Sequence, residues 1–198
     1  DLGAMLDDLL GGLPETGGPM PPRADVALTG GVTVIDFASP QSVVMFGQNG
    51  IKRDDPDFFA AHVLNHILGG SGFAARLMDE VRAKRGLSYG ASARLGNGRG
   101  QRSLYAHVFP SAQQTAETVE LVLRLYEEWA EKGLRPGELD FVKSYLQKSH
   151  AFSVQTADDR LNLRTRLQIC DMPSDDEKTY PARVGRVTEA DIAQAMQS

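Results

Sequence analysis

Two histidines stand four residues apart in the segment His62-Val63-Leu64-Asn65-His66. On a helix this spacing places the two imidazoles one above the other, where they can share a zinc ion. In an H-x-x-E-H site a glutamate before the second histidine takes the proton from the metal-bound water. Asn65 occupies that position here, and an amide has no useful proton affinity near neutral pH. The segment therefore predicts two solvated or interface histidines, with vestigial metal binding by His62 and His66 as the alternative.

A second pair of candidates, Arg82 and Tyr89, stands seven residues apart in the stretch LGGSGFAARLMDEVRAKRGLSY, residues 68–89. The stretch predicts the end of one helix, a glycine turn, a second helix and the start of a strand. Arg82 falls in the last turn of the second helix and Tyr89 just inside the strand. Both would carry long polar side chains on rigid elements, as binding sites usually require. The alternative is that Arg82 complements the helix dipole and Tyr89 is a half-buried strand aromatic.

Local residue types predict each boundary in this stretch. Gly69 and Gly70 follow an apolar run, where a helix C-terminus needs a residue that tolerates positive φ. Ser71 is predicted to cap the next helix and Gly86 to end it before the strand over 87–95. The apolar positions predicted to share one side of that helix are Phe73, Leu77, Met78 and Val81.

This stretch resembles the signature of the C-terminal domains of pitrilysin/insulinase-type zinc metallopeptidases, the inverzincin family that includes mitochondrial processing peptidase. In that family an LGG turn precedes a helix with an SRL-like segment, and R-x-K-x-x-L-x-Y follows. Ala75 is a mild departure, because the family often has serine there. The matching residues are Leu68, Gly69, Gly70, Arg76, Leu77, Arg82, Lys84, Leu87 and Tyr89.

The resemblance implies a division of labour between domains. These peptidases contain two homologous domains, of which the N-terminal one carries the zinc motif and the C-terminal one does not. HVLNHILGG stands where the zinc helix would be, so this chain is similar to the metal-free half. The resemblance thus implies that Zn belongs on the partner domain or subunit, and that this chain holds no cofactor and no catalytic residue of its own.

The family takes its third zinc ligand from a glutamate on a later helix. The carboxylates that could replace it here are Glu138 and Asp140, both in the first turn of a predicted helix, where the helix dipole already favours acidic residues. No carboxylate follows in residues 141–149. The pattern therefore predicts no hydrolytic zinc site within this chain and leaves an independent small hydrolase, using His62 and His66, only as a third option.

In the family, the residues that match Arg82 and Tyr89 reach across to the zinc site of the other domain and help hold the substrate backbone. Both groups donate hydrogen bonds to peptide carbonyl oxygens, and such donors stabilise the charge that develops during attack. The predicted function is the non-catalytic half of a zinc metalloendopeptidase, completing a chamber for unfolded peptides. The alternative is a non-catalytic scaffold of the same fold, as in the core subunits of the respiratory cytochrome complex.

Composition narrows the class of protein further. The 198 residues are 41% hydrophobic and 24% charged, which is ordinary for a globular domain. The net charge of −5, without a basic stripe, argues against a nucleic-acid partner. Cys170 is the only cysteine, which excludes an intrachain disulfide and is compatible with a reducing compartment and with a periplasmic or secreted bacterial protein. No apolar run approaches the roughly 20 residues that span a bilayer.

The order of elements predicts an α+β fold with an antiparallel sheet and helices packed mainly on one face, as in the mitochondrial processing peptidase-like metallohydrolase fold. Strands are predicted over 31–37, 41–48, 87–95 and 102–109, the last two joined by a hairpin at Asn97-Gly98. The nearly continuous apolar centre of the second strand predicts that both of its faces are covered. The helices are predicted from Asp54 or Asp55 to Gly69, and over 71–86, 111–132, 136–150, 156–170, 175–184 and 188–196.

Two of these helices have well-defined predicted starts and faces. Ser111 and Gln114 predict a capping box, and Pro136 predicts the start of the following helix. The inward positions are predicted to be Val119, Val122, Leu123, Tyr126 and Trp129 in the first, and Leu139, Val142, Tyr145 and Leu146 in the second.

The N-terminal residues predict a connector rather than a domain. Residues 1–25 begin with a short apolar helix and continue as GGLPETGGPMPPR, in which glycine and proline disfavour regular structure. Residues 26–198 are predicted to form the peptidase-type domain. The family adds a strand after the last helix, which this domain is expected to lack.

Overall fold

The computed structural model describes residues 1–19, 33, 35, 37–96 and 103–197. These residues form two compact units, Asp1–Ile35 and Asp36–Ser198. The first unit contains α1 (Leu2–Leu10), which begins where the Asp1 carboxylate accepts a hydrogen bond from the Gly3 N–H at 3.1 Å. None of the residues of α1 is buried. The division into a connector over 1–25 and a domain over 26–198 stays a prediction.

Three strands in the described part of the second unit form an antiparallel sheet in the order β1-β3-β2. They are β1 (Val44–Asn49), β2 (Ser88–Gly96) and β3 (Ser103–Pro110). Antiparallel pairing of β2 with β3 confirms the predicted hairpin. Its predicted turn at Asn97-Gly98 lies outside the described residues, as does most of the strand predicted over 31–37.

The first strand corrects a prediction about burial. Val44 and Phe46 are half-buried, whereas Met45 between them is 67% exposed. The strand is therefore covered on one face and open on the other. An apolar run does not reveal this, because the exposure of each face of a strand depends on what packs against it and not on the local sequence.

Helices cover the inner face of the sheet. α3 (Arg76–Met78) continues directly into a π-helical segment (Asp79–Ala83), and α4 (Thr115–Lys132) packs beside both. Small residues on the inner face of the strands allow the helices to approach closely. The buried residues of this cluster are Leu77, Val81, Leu87, Ala91, Ala93, Ala106, Val108, Leu121, Val122, Leu125 and Trp129. The predicted α+β class is confirmed.

A second apolar cluster is built from helices. It joins α2 (Phe58–Asn65) to α5 (Glu138–His150), α7 (Asp176–Arg186) and α8 (Glu189–Gln197). Leu68, just beyond α2, packs against this cluster and against the cluster beneath the sheet. The buried face predicted for the α2 region, formed by Ala60, Val63, Leu64 and Ile67, is confirmed. No helix in the described residues is long and apolar enough to cross a membrane.

The helices α6 (Ala157–Ile169) and α8 begin where the sequence predicts, each at a threonine that caps the helix. α6 begins at a capping box in which the Thr156 hydroxyl accepts from the Asp159 N–H and the Asp159 carboxylate accepts from the Thr156 N–H. Thr188 and Asp191 make the same pair of bonds before α8. α2 starts later than predicted, at Phe58, although the Asp55 carboxylate accepts a hydrogen bond from the Asp57 N–H just before it.

The predicted capping box before α4 is wrong. The Ser111 hydroxyl donates to the Gln114 side chain at 3.0 Å, and a 3₁₀ turn (Ala112–Gln114) precedes the helix. Val122 and Trp129 are buried, as predicted, and Tyr126 packs partly buried against the same cluster. Leu123 is exposed, and Leu121 and Leu125 are buried instead, so the inward face is confirmed only in part. α5 likewise begins at Glu138, because Gly137 adopts a left-handed φ of +80° after Pro136, and Tyr145 on it is exposed.

Candidate functional site

The glycine turn at the centre of the sequence motif is a π-helical segment (His66–Gly70) that extends α2. Gly69 and Gly70 do not have positive φ, contrary to the prediction; the left-handed residue is Gly72, with φ of +58°. Gly69 is required for a different reason. A Cβ built on it would lie 2.5 Å from the backbone nitrogen and from the Cβ of Ala93. The turn therefore lies directly on strand β2.

Ser71 does not cap the following helix. Its hydroxyl donates to the His66 carbonyl oxygen at 2.7 Å and lies 3.2 Å from His66 Nδ1, which ties the turn back onto the end of the preceding helix. The next helix begins only at Arg76, after a 3₁₀ turn (Gly72–Ala74). Phe73, predicted to face the core, is 76% exposed as a result.

Arg82 lies in the π-helical segment that continues α3, as predicted for a position near the helix end. The Lys84 N–H donates to the Asp79 carbonyl oxygen at 2.9 Å across this widened turn, and Gly86, with φ of +63°, ends it. The guanidinium carbon of Arg82 is 4.5 Å from the centre of the Tyr89 ring. The structure thus brings together the two residues that the sequence paired.

A β-bulge directs Tyr89 outward. The register between β2 and β3 shifts between Ser88 and Ala91, and Ser88 itself is buried. The Ser88 hydroxyl accepts from the Phe109 N–H at 2.8 Å and donates to the Gly90 carbonyl oxygen, which stabilises the irregularity. Bulges commonly change the direction of a side chain at functional sites. Tyr89 is 80% exposed, so the alternative of a half-buried strand aromatic is wrong.

Phe73 is a second aromatic residue in contact with the arginine. The Arg82 guanidinium carbon lies 4.9 Å from the centre of the Phe73 ring, so aromatic rings from two different elements contact the same cation. We call Phe73, Arg82 and Tyr89 the aromatic–arginine stack. Sequence reasoning missed Phe73, because an apolar residue at helical spacing is usually a core residue.

The charge of Arg82 is not compensated by any carboxylate in the described part of the chain. The nearby acidic residue Glu80 instead binds Lys84 and Arg85, each at 2.6 Å, and Lys84 also reaches Asp79 at 2.9 Å. These bonds outweigh the effect of burial and hold the pKa of Glu80 below its usual range. The N–H edge of the Arg82 guanidinium therefore stays available for a ligand.

The two histidines of the motif are only partly exposed, which disagrees with the prediction of solvated side chains and leaves the interface alternative a prediction. His62 stacks on Phe58 with ring centres 5.7 Å apart, meets the edge of His66 at 5.0 Å and forms a hydrogen bond with the Tyr180 hydroxyl at 2.8 Å. Tyr180 comes from α7, more than 100 residues away in the chain. This distant contact is why the local sequence did not reveal the burial.

Burial also removes the charge of these histidines. Desolvation, followed by the neighbouring His66 and Arg53, lowers the pKa of His62 to about 3, and desolvation lowers the pKa of His66. Both line a groove of about 700 Å³, together with Asn65, Tyr145 and part of β2. Asn65 Oδ1 is buried without a hydrogen-bond partner among the described residues.

The candidate third zinc ligands lie elsewhere. Glu138 forms a bidentate ion pair with Arg76, whose side chain is only 3% exposed, and it also accepts from the Arg135 N–H at 2.7 Å. Asp140 is exposed. In the described residues, no group of three or more histidine, cysteine, aspartate or glutamate side chains is placed to hold a metal ion.

The profile of the family described as "Peptidase M16 inactive domain" matches residues 1–146. The chain belongs to this family. The sequence is also 31% identical over 182 residues to an uncharacterized zinc protease of Streptomyces coelicolor, a match that covers 88% of this chain and 38% of that protein. It is 31% identical over 123 residues to the non-peptidase homolog YmxG of Helicobacter pylori, covering 62% of this chain and 28% of that protein.

A solved structure extends the agreement to the fold. The peptidase M16 inactive domain from Pseudomonas fluorescens has a TM-score of 0.72 and 31% sequence identity, covering 81% of this chain and 38% of that chain. The predicted resemblance to zinc metallopeptidases, on the metal-free side, is confirmed at the level of the family. The M16 inactive domain described here thus spans well under half the length of each of these relatives.

The neutral His62 predicts a pH dependence of stability. In the folded M16 inactive domain this group stays unprotonated down to about pH 3, whereas in the unfolded chain it binds a proton near its ordinary pKa of 6.5. The unfolded state therefore holds more protons between these values, and lowering the pH destabilises the fold by up to about 1.4 kcal/mol per pH unit from this group. We expect His62→Gln, which cannot titrate, to show a shallower loss of unfolding free energy between pH 6.5 and 4.5 in urea titrations.

The histidine resonances give a direct check of this prediction. In NMR spectra of the labelled chain, the His62 ring signals should not shift between pH 8 and pH 5. A titration midpoint of His62 near 6.5 would contradict the prediction, and so would an unchanged slope in the His62→Gln urea titrations.

Proposed function

We propose that this M16 inactive domain completes the peptide-binding chamber of a zinc metallopeptidase and presents Arg82 and Tyr89 to a zinc site on a homologous domain or subunit. The observation that carries the proposal is the uncompensated charge of Arg82, held against the exposed ring of Tyr89. A purely structural arginine would normally have a carboxylate partner or cover apolar surface. Arg82 has no such carboxylate partner among the described residues, and the ring it contacts is itself 80% exposed.

The chemistry of the pair suits a peptide undergoing hydrolysis. The guanidinium edge and the phenol O–H both donate hydrogen bonds, and peptide carbonyl oxygens accept them. Zinc on the partner would supply the activated water. As that water attacks, negative charge develops on the carbonyl oxygen, and donors already held in position stabilise it without reorganisation.

The same geometry gives reasons why this chain would need a zinc-bearing partner. Asn65 replaces the general base, and Glu138, the nearest counterpart of the third ligand, is engaged by Arg76. His62 and His66 are neutral, but each already has a hydrogen-bond partner within the fold. Together these features support the assignment of catalysis to another domain or subunit.

Unfolded peptides are the substrates that best suit the described sheet. β2 has no neighbour on its outer edge within the described residues, and part of this strand lines the groove of about 700 Å³. An extended peptide can bind such an edge through backbone hydrogen bonds, which depend little on sequence. This proposal leaves side-chain specificity to the rest of the chamber.

The alternative function is a non-catalytic scaffold of the same fold. It is favoured by one comparison, because the Helicobacter pylori relative is described as a non-peptidase homolog. A scaffold would have no need for an uncompensated, half-buried arginine that contacts an exposed tyrosine. The two functions differ in whether those side chains affect turnover.

The test is a peptidase assay of the chain mixed with its zinc-bearing partner, using an unfolded fluorogenic peptide. Arg82→Ala should lower kcat/KM by about 100-fold or more, the loss seen when one donor to a developing oxyanion is removed. Tyr89→Phe, which removes only the hydroxyl, should lower it about tenfold. Arg160→Ala, an exposed arginine on α6, is the matched control and should leave the rate unchanged.

Each alternative has its own outcome in this assay. Full activity of the Arg82→Ala mixture would contradict the proposed role of the pair. Activity of the chain without a partner would indicate the small hydrolase that uses His62 and His66. A mixture that forms a stable complex but cleaves no peptide would support the scaffold.

A further inference from the structure

We propose that Phe73 is a positioning residue for Arg82, restraining the guanidinium together with Tyr89 so that its N–H groups are presented to a planar acceptor. The importance of Phe73 for turnover rests on the proposed function of Arg82. The positioning itself does not, because it is a property of the isolated chain.

The first support is the geometry of the aromatic–arginine stack. The guanidinium carbon lies 4.9 Å from the Phe73 ring centre and 4.5 Å from the Tyr89 ring centre, both within cation–π distance. Phe73 comes from the turn before α3, whereas Tyr89 comes from the bulge of β2. Rings supplied by separate elements restrict the arginine more strongly than one ring would.

The second support is that Phe73 does not contribute to the apolar core of the described residues. It is 76% exposed, and it belongs to neither of the two apolar clusters found in the described residues. An exposed phenylalanine ring forgoes the favourable transfer free energy that burial in the core would give. The contact with Arg82 gives this exposed ring a role that packing does not.

The backbone before Phe73 is built to present the ring outward. Gly72 has φ of +58°, a conformation that L side chains rarely adopt, and the Ala75 N–H donates to the Gly72 carbonyl oxygen at 3.1 Å to close the turn. Ser71 anchors the start of this turn to the His66 carbonyl oxygen at 2.7 Å. The main chain thus sets the direction in which the Phe73 side chain leaves the turn.

The consequence concerns what Arg82 can bind. A free arginine side chain loses much rotamer entropy when it is immobilised, and a side chain that is already held loses less on binding. With two rings contacting the cation, the in-plane N–H fork is the part left to bind a planar acceptor such as a peptide carbonyl or carboxylate. Phe73 would therefore act on substrate binding through Arg82, without touching the substrate itself.

The positioning can be measured on the full chain alone by NMR with labelled arginine. Side-chain protons that lie over aromatic rings resonate upfield, so the Arg82 δ-protons should be shifted upfield in the native chain. Phe73→Ala and Phe73→Leu should move these signals downfield, whereas Phe73→Trp should keep them upfield. Unchanged Arg82 signals in a folded Phe73→Ala chain would overturn the proposal.

The kinetic test uses the chain assembled with its zinc-bearing partner. Phe73→Ala should lower kcat/KM about two- to fivefold, the loss expected for one exposed cation–π contact. Phe73→Trp should restore the rate and Phe73→Leu should not, which separates ring stacking from apolar bulk. Phe152→Ala, another exposed phenylalanine outside the stack, should have no effect.

A double variant distinguishes positioning from a general structural effect. In the Arg82→Ala background, adding Phe73→Ala should cause no further loss, whereas a structural role would lower the rate again. If Arg82→Ala leaves activity intact while the NMR shifts behave as expected, the proposed function fails and the positioning stands. If Arg82→Ala abolishes activity but Phe73→Ala changes neither rate nor spectrum, the positioning fails and the proposed function stands.

Discussion

Replacing Gly69 with alanine is expected to lower the free energy of unfolding by about 3 kcal/mol, at the upper end of the typical range for overpacking. The new Cβ would lie 2.5 Å from the backbone nitrogen of Ala93, and strand backbone cannot move aside as a flexible side chain can. The turn and the strand would have to separate, which would also disturb Leu68, the residue that packs against both apolar clusters. Thermal unfolding should show a loss of about 6–12 °C for a domain of this size.

Gly47→Ala is the matched control for this substitution. Gly47 lies in β1, its φ is not positive, and nothing lies within 4 Å of a Cβ built on it, so alanine there should be neutral or slightly stabilising. Ala93→Gly in the Gly69→Ala background should recover part of the loss, because it removes one of the two clashing atoms and leaves the other. A Gly69→Ala chain with wild-type stability would show that the turn does not lie on the strand as described.

The sequence predicted the elements of this fold well and their edges less well. The β2–β3 hairpin and the buried face of the α2 region follow from local patterns and are confirmed. The predicted capping box at Ser111 is wrong because the Ser111 hydroxyl bonds to the Gln114 side chain instead of to a backbone N–H. The inward face of α4 was predicted in part, because Val122 and Trp129 are buried as expected whereas Leu123 is exposed. The contact with the sheet, which local periodicity does not encode, buries Leu121 and Leu125 instead.

The candidate site was predictable in its polar residues and not in its apolar ones. Arg82 and Tyr89 were paired by motif spacing, and the structure places them in contact. Phe73 was assigned to the core, because no local signal distinguishes a buried phenylalanine from one that a left-handed glycine turns outward. His62 was expected to be solvated or at an interface. Its contact with Tyr180 could not be predicted locally, because Tyr180 is more than 100 residues away in the chain.

The two π-helical segments explain why the motif region escapes simple helical periodicity. One contains Gly69 and the other contains Arg82, and each inserts a wider turn into an otherwise α-helical path. Such segments are frequent at functional sites, because the extra residue changes the direction of the side chains that follow. In this domain the first places a glycine against β2, and the second places a guanidinium within contact distance of two aromatic rings.

Replacing Arg76 with methionine is expected to lower the free energy of unfolding by about 3 kcal/mol, the lower end of the range for removing one partner of a buried ion pair. Arg76 donates to both Glu138 oxygens and, at 3.0 Å, to the Gly133 carbonyl oxygen, so its loss leaves a partly buried carboxylate without its main partner. The lower end applies because the Glu138 side chain is still 20% exposed. Urea unfolding at pH 7 measures the change.

The same pair predicts a specific response to pH. Burial would raise the pKa of Glu138, but the bonds from Arg76 and from the Arg135 N–H lower it below its ordinary value of 4.5. A carboxylate with a lowered folded pKa stabilises the fold above its unfolded pKa and loses that contribution as the pH falls through the folded value. The contribution should therefore be complete at pH 7 and decline below about pH 4.5, and this part of the decline should be absent from Arg76→Met/Glu138→Leu.

The double variant also separates two sources of the lost stability: the missing ion pair and the unpaired Glu138 carboxylate. If the penalty in Arg76→Met comes from the unpaired carboxylate, adding Glu138→Leu should recover most of the 3 kcal/mol or so, since well-packed apolar residues can replace a buried ion pair at little cost. Lys132→Ala, which breaks an exposed pair with Glu128, is the control and should change stability by less than about 0.5 kcal/mol. An Arg76→Met chain as stable as this control would show that the pair is incidental to the fold, and the motif arginine would then need another explanation.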